Sequence, residues 1–271
     1  MNQEISYSQW RRENSAFLKG LVGKNIFLLF SGGKDSSLSM DLTLRASEEF
    51  GFDFEAHAGA FPVSRYTQEE KGRIQAYWDK RGARIVWHDM KETDEALREA
   101  PNPCLLCQKI RKRMLNVILS EWVDDWGNLV LIPSYTLWDI VSYAAEHMLS
   151  STFSISDQST EDQKMKRFTE IAQRFYPLLK LREGYTVFRP LLKYNGRDVA
   201  RAVEKEGIPI LSIPCEFKEF RPKRVLERYY EKMGLSFDYE AVLDFARGAL
   251  HIPEASAFAS FGKEEYLKDI F

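Results

Sequence analysis

Residues 31–37 form a short segment whose residue types suit phosphate binding. The segment reads Ser-Gly-Gly-Lys-Asp-Ser-Ser, directly after an apolar run and before a helical pattern. Two glycines let the backbone turn sharply and present its N–H groups, and the N-terminus of the following helix attracts an anion. The lysine and the hydroxyl groups are further donors. The sequence therefore predicts a phosphate site that consists of Ser31, Gly32, Gly33, Lys34, Asp35, Ser36 and Ser37.

The carboxylate at position 35 separates this segment from the best-known nucleotide loop. The pattern G-x-x-x-x-G-K-S/T requires glycine at position 28 and a hydroxyl residue at position 35, where this chain has Leu28 and Asp35. Asp35 would repel a bare phosphate, but it could hold Mg²⁺, which usually binds one or two carboxylates together with phosphate oxygens. The alternative is a tight turn whose serines and aspartate only cap a helix.

The three cysteines form a second group with chemical potential. Cys104 and Cys107 lie at the start of a predicted helix, where thiol pKa values are lowered, and Cys215 follows a predicted short edge strand. They could be buried thiols or a redox pair. A zinc site would need a fourth ligand, and the histidines show no ligand-like spacing. An iron–sulfur cluster usually has four thiolates, so three would leave one iron open to an exogenous sulfur ligand.

The phosphate segment resembles the PP-loop of the N-type ATP pyrophosphatases, because SGGKDS follows an apolar strand. The resemblance implies that the loop holds the pyrophosphate end of ATP with Mg²⁺, while the α-phosphate passes to the substrate as an adenylate. It makes Lys34 and Asp35 the candidate catalytic residues.

The order of the motifs is similar to that of the tRNA 2-thiocytidine synthetase branch of these enzymes. SGGKDS is followed by C-x-x-C with the basic run KIRKR, and then by FRPLL and GIPILSIPC. This resemblance implies a [4Fe-4S] cluster on Cys104, Cys107 and Cys215. It also implies ATP-dependent transfer of sulfur from an unidentified donor to tRNA or to a small-molecule acceptor.

The end of the fourth predicted strand departs from that branch. Its G-H-x-x-D-D signature is replaced by Ser-Tyr-Thr-Leu-Trp-Asp, so only the last acid, Asp139, is kept. Tyr135 and Trp138 could stack on a flat ligand, although large apolar side chains are more often core residues. The predicted substrate contacts near this strand and after the C-x-x-C pair are Arg111, Lys112, Ser134 and Asp139.

Two other functions remain open at this point. One is an amide-forming PP-loop ligase that uses ammonia, in which the cysteines would be idle. The other is a nucleotide-binding or cluster-binding sensor without catalysis, which the altered signature would permit. Lys34 and Asp35 favour an enzyme.

The surrounding elements predict an α/β protein with a doubly wound parallel sheet and a helical C-terminal extension. Predicted strands cover 25–30, 54–61, 84–88, 128–135 and 186–192. Predicted helices cover 36–50, 67–81, 105–122, 137–150 and 161–181, and another follows the fifth strand. We expect an N-terminal helical segment (1–23), an ATP-binding α/β domain (24–232) and the helical extension (233–271).

The composition limits the function classes. The chain of 271 residues has a net charge of −2, so it has no overall basic field that would attract nucleic acid. Local basic runs follow the C-x-x-C pair and Cys215, and they could surround one substrate site. The polar N-terminal residues and the lack of a long apolar run predict a cytoplasmic protein with no membrane partner. The oligomeric state stays open, a homodimer included.

Overall fold

The protein is described here by a computed structural model, which covers residues 4–152 and 160–262. Its centre is a six-stranded sheet with the strand order β3-β2-β1-β4-β6-β5. The strands are β1 Asn25–Leu29, β2 Glu55–Ala60, β3 Ile85–Asp89, β4 Leu129–Ile132, β5 Leu178–Lys180 and β6 Thr186–Phe188. All pairings are parallel except that of β5 with β6, which is antiparallel.

Ten α-helices are present in the described ranges. They are α1 Tyr7–Leu18, α2 Lys34–Phe50, α3 Gln68–Asp79, α4 Glu95–Glu99, α5 Pro103–Trp122, α6 Leu137–Thr152, α7 Glu161–Ala172, α8 Gly196–Lys205, α9 Pro222–Lys232 and α10 Tyr239–Leu250. Within the part of the chain that the structure covers, no helix combines the length and apolar character needed to cross a membrane.

The sheet has a hydrophobic core on each face, because successive side chains of a strand point to opposite sides. On β1, Ile26 and Leu28 join the core that contains residues of α1, α2, α3 and α8. Phe27, between them, joins the core that contains residues of α5, α6, α7 and α10. Burial on both faces explains why the central strands read as continuous apolar runs rather than as alternating patterns.

The strand order reverses next to β1. The chain moves outward from β1 to β2 and β3, and then returns to place β4 on the other side of β1. Ligands of such sheets bind beyond the carboxyl ends of the strands at this switch point. The end of β1 leads into residues 31–37, and the paired end of β4 leads into Ser134 and Asp139.

The structure confirms the predicted strands and corrects two predictions. The helix predicted over 161–181 ends at Ala172, and β5 follows Pro177, which removes a backbone donor and restricts the residue before it. The edge strand predicted before Cys215 is wrong. Residues 208–214 form no strand, because Leu211 N–H donates to the Gly32 carbonyl at 2.8 Å instead of to a neighbouring strand.

Candidate functional site

The phosphate loop (residues 31–37) joins β1 to α2 with the geometry expected of an anion site. Gly32 has a φ of +66°, in the left-handed region that glycine adopts without strain. Gly33 precedes the first turn of α2, and no side chain of the described residues caps the helix there. The backbone N–H groups at the start of this 17-residue helix are therefore directed toward the crevice with the positive end of the helix dipole.

A hydrogen bond from the distant Tyr66 and another within the segment hold the phosphate loop in this shape. Tyr66 donates its hydroxyl to the Ser31 carbonyl at 3.0 Å, and Ser31 N–H donates to Ser36 Oγ at 3.1 Å. Leu211 packs so closely that a Cβ on Gly32 would lie 2.8 Å from its Cγ. The glycine is thus required both by its backbone angle and by its neighbour.

The charged pair of the phosphate loop is partly buried. Lys34 Nζ lies 2.5 Å from Asp35 Oδ1. Burial by itself would raise the pKa of Asp35, but the charges of Lys34 and Lys223 outweigh it and hold the pKa below its ordinary value. Asp35 is therefore an ionised carboxylate at neutral pH, which is the state that a Mg²⁺ ligand requires.

The segment after β4 forms the opposite wall of the crevice. Asp139 accepts hydrogen bonds on Oδ2 from the Thr136 backbone N–H at 2.8 Å and from the Thr136 hydroxyl at 2.9 Å, so it caps the start of α6. Trp138 is a core residue, 4% exposed, and its indole donates to Asn195 at 3.1 Å. Trp138 therefore packs in the core, which is the more common position of large apolar side chains, and does not stack on a ligand. Ser134 Oγ is buried and has no hydrogen-bond partner among the described residues.

Lys223 is a site residue that the sequence did not single out. It forms an ion pair with Asp139, and its Nζ lies 3.6 Å from Glu227 Oε1. Its charge also acts on Asp35 of the phosphate loop. Burial lowers the pKa of Lys223 to about 8, although the negative charge of Glu227 acts to raise it. In the sequence Lys223 is one member of a basic run. The signal that distinguishes it there is its position directly after Pro222, a residue that favours the start of a helix.

The three cysteines converge, as the motif order predicts. Cys104 and Cys107 from the first turn of α5 and Cys215 from the loop before α9 pack against one small apolar cluster. This cluster consists of Phe61, Leu97, Ile110 and Phe217. All three thiols are free and partly buried. We call Cys104, Cys107 and Cys215 the cysteine cluster.

The cysteine cluster lies at the carboxyl end of the parallel strands, as the phosphate loop does. Phe61, which packs against the cysteines, directly follows the carboxyl end of β2. Cys215 is four residues after Leu211, which contacts Gly32. Four residues span at most about 14 Å. The path between the two sites is therefore short.

The pKa values of the thiols correct one expectation. Burial raises the pKa of Cys104 and of Cys107, and the neighbouring cysteines add to this effect. The position at a helix start therefore does not by itself make them thiolates. Arg221 lowers the pKa of both, and Arg111 lowers that of Cys107. Arg111 thus lies beside the cysteine cluster, where a bound metal would complete the ionisation.

The donor set does not suit a single metal ion. Over residues 4–152 and 160–262, no group of three or more His, Cys, Asp or Glu side chains is arranged to hold a metal ion. A structural zinc ion needs its sulfur ligands at about 2.3 Å from one atom. In a four-iron cluster the thiolates bind iron at separate corners. In the described ranges, Cys104, Cys107 and Cys215 are therefore not arranged as the ligand set of one metal ion.

The basic run after the C-x-x-C pair is divided between two surfaces. The charge of Arg111 acts on Cys107, whereas Lys112 belongs to a shallow groove of about 530 Å³ along α5. That groove is lined by Lys109, Lys112, Arg113, Asn116, Val117 and Ser120. Of the predicted substrate contacts, the structure brings Ser134 and Asp139 to the crevice and Arg111 to the cysteine cluster.

No protein-family model matches the sequence, and no curated protein matches it either. The chain is similar to the U34-tRNA thiolase NcsA from Methanococcus maripaludis with its [4Fe-4S] cluster, with a TM-score of 0.61 and 16% identity, over 92% of this chain and 81% of that chain. The NMN synthetase from Francisella tularensis aligns with a TM-score of 0.44 and 13% identity, over 94% of this chain and 90% of that chain.

The similarity to NcsA shows the fold. It covers 92% of this chain, whose six-stranded sheet is mostly parallel. The α/β fold with a mostly parallel sheet, predicted from the sequence, is therefore confirmed.

Proposed function

We propose that this protein is an ATP-dependent sulfurtransferase that adenylates a substrate carbonyl, releases pyrophosphate and replaces the activated oxygen with sulfur. The observation that carries the proposal is that Cys104, Cys107 and Cys215 converge at the carboxyl end of the sheet, where the phosphate loop also lies. An ammonia-using ligase would have no use for these thiols. NcsA is a tRNA thiolase with a similar fold, so tRNA is the first acceptor to test, followed by small molecules.

The first step uses the phosphate loop. ATP with Mg²⁺ binds to residues 31–37, and the acceptor carbonyl oxygen attacks the α-phosphorus while the bond to pyrophosphate breaks. Lys34 and the backbone N–H groups of α2 stabilise the charge that grows on the leaving pyrophosphate. Asp35, ionised in this environment, would hold Mg²⁺ against the same oxygens.

The second step uses the cysteine cluster. Its three thiols would hold a [4Fe-4S] cluster, which supplies an iron atom that is open to a sulfur ligand. Transfer forms the carbon–sulfur bond and breaks the carbon–oxygen bond, so AMP leaves with the former carbonyl oxygen. Burial raises the pKa of Cys107, and the charges of Arg111 and Arg221 oppose that rise, in the direction of the thiolate that a metal ligand requires.

The metal content of anaerobically purified protein tests the proposal. We expect about four iron atoms and about four acid-labile sulfides per chain, with visible absorbance. Cys215→Ser should abolish this absorbance, because the remaining two thiols cannot complete the set. Pyrophosphate release from ATP should depend on the acceptor, and sulfur should appear in that acceptor.

A matched control separates the loss of a ligand from disturbed packing. Met90 packs against the same apolar cluster as the cysteines but has no thiol, so Met90→Leu should keep the iron and the spectrum. An unchanged spectrum in Cys215→Ser would contradict the three-ligand assignment. Bound zinc in place of iron would contradict it as well. Pyrophosphate release without sulfur incorporation into any acceptor would favour the ligase.

A further inference from the structure

Lys223 lies where the two walls of the crevice meet. One wall is the phosphate loop after β1, and the other is the segment after β4 that contains Ser134 and Asp139. Lys223 comes from α9, far along the chain. Its ion pair with Asp139 and its charge interaction with Asp35 place its ammonium group near both walls.

The known partners of Lys223 leave room for an anionic ligand. A lysine ammonium group has three donors. Asp139 takes part in one contact, and Glu227 lies 3.6 Å away, beyond ordinary hydrogen-bond length. The side chain of Lys223 is only 12% exposed, so water solvates its charge poorly. An incoming polyanion would offset the cost of burying this charge.

A second observation points to a ligand in the same crevice. Ser134 Oγ is buried and lacks a hydrogen-bond partner among the described residues. A buried hydroxyl without a partner costs free energy, and an oxygen-rich ligand would supply the partner. Ser134 belongs to the same segment as Asp139, to which Lys223 is paired.

We propose that Lys223 binds a phosphate group of ATP together with the phosphate loop, and that Ser134 donates to the same ligand. This inference rests on the proposed nucleotide site and adds to it a cation from the far end of the chain. Because α9 begins shortly after Cys215, the same residue connects the nucleotide to the segment that bears the third cysteine.

Nucleotide binding measured by calorimetry tests the role of Lys223. The full chain is titrated with ATP, with pyrophosphate and with adenosine, in the presence of Mg²⁺ and without an acceptor. Lys223→Met should weaken ATP and pyrophosphate binding by about 10- to 100-fold, the usual range for the loss of a charged hydrogen bond. Adenosine binding should not change. Lys232→Met, an exposed lysine of the same helix, should bind all three ligands as the unaltered chain does.

Asp139→Asn distinguishes a phosphate contact from a purely structural ion pair. If Lys223 binds phosphate, Asp139→Asn should bind ATP at least as tightly as the unaltered chain, because it removes a negative charge and releases Lys223. If the ion pair between Lys223 and Asp139 is only structural, Lys223→Met and Asp139→Asn should weaken ATP binding equally. That result would overturn the proposal. If Lys223→Met does not fold, a variant that carries both substitutions serves instead, and it should show the same selective loss.

Two further outcomes are decisive. Equal weakening of adenosine and of ATP in Lys223→Met would overturn the proposal, and so would an unaltered chain that binds neither ATP nor pyrophosphate. A chain that shows the Lys223-dependent phosphate binding but transfers no sulfur would refute the proposed function and leave this inference standing, because the assay contains no acceptor.

Discussion

The histidine pair of β2 and β3, in which His57 is buried and His88 half-buried, predicts a specific loss of stability at acidic pH. His57 Nδ1 lies 3.0 Å from His88 Nε2, and the two rings are stacked. His57 is 3% exposed and also stacks on Phe27, with ring centroids 3.7 Å apart. A proton on His57 would therefore place a charge inside the core that packs against the sheet.

The pKa of His57 determines the sign and the size of the effect. Burial, together with His88 and Arg84, lowers this pKa from 6.5 to about 3. Between these values the unfolded chain binds a proton that the folded chain does not bind, so the free energy of unfolding falls as the pH falls below 6.5. Each pH unit corresponds to roughly 1.4 kcal/mol. The titration of His57 alone should therefore lower the free energy of unfolding by about 2 kcal/mol at pH 5 relative to pH 8.

His57→Gln removes the titrating ring and should remove this dependence. The assay is urea unfolding followed by tryptophan fluorescence at pH 8 and pH 5. The variant is expected to be less stable at pH 8, because it loses the stack on Phe27, but it should lose about 2 kcal/mol less than the unaltered chain between the two pH values. His251→Asn, at an exposed left-handed position, is the control and should keep the original dependence. An identical loss in His57→Gln and in the unaltered chain would refute the reasoning.

Two predictions concern the support of the phosphate loop. Gly32→Ala places a Cβ 2.8 Å from Leu211 Cγ on a residue with a φ of +66°. We therefore expect it to lower the free energy of unfolding by at least about 1 kcal/mol and to weaken ATP binding. Gly20→Ala is the control and should bind ATP normally, because no atom lies within 4 Å of its added Cβ. Tyr66→Phe removes the 3.0 Å hydrogen bond to the Ser31 carbonyl and should cost about 1 kcal/mol in urea unfolding. Unaltered ATP binding in Gly32→Ala, or unaltered stability in Tyr66→Phe, would contradict the described loop geometry.

The contiguous motifs were predictable because their chemistry is local. An apolar strand, two glycines and a helix start occur within about a dozen residues, so backbone geometry alone directs the N–H groups of the phosphate loop into one crevice. Cys104 and Cys107 are likewise one helical turn apart on α5. The five parallel strands were recognisable because burial on both faces requires continuous apolar runs.

Predictions that depended on a partner elsewhere in the chain were less successful. A short edge strand was expected before Cys215, but the Leu211 N–H there donates to the Gly32 carbonyl. Ser212 donates to Glu70 through its backbone N–H at 2.7 Å and through its hydroxyl at 2.8 Å. β5 was hidden in a predicted helix, since only pairing with β6 makes its three residues a strand. Every such segment carries the same backbone donors and acceptors, so the hydrogen-bond partner that is available decides whether the segment becomes a strand.

The sequence by itself determined the phosphate loop, the C-x-x-C pair and the parallel architecture, because the geometry of these features depends on neighbouring residues and on the apolar pattern. Only the tertiary structure decided that Cys215 reaches the other two cysteines and that Lys223, among several basic residues of its run, lies at the crevice. Contacts between residues that are far apart in the chain depend on how the helices pack against the sheet. Charge and burial acquire a functional meaning only once that packing brings particular side chains together.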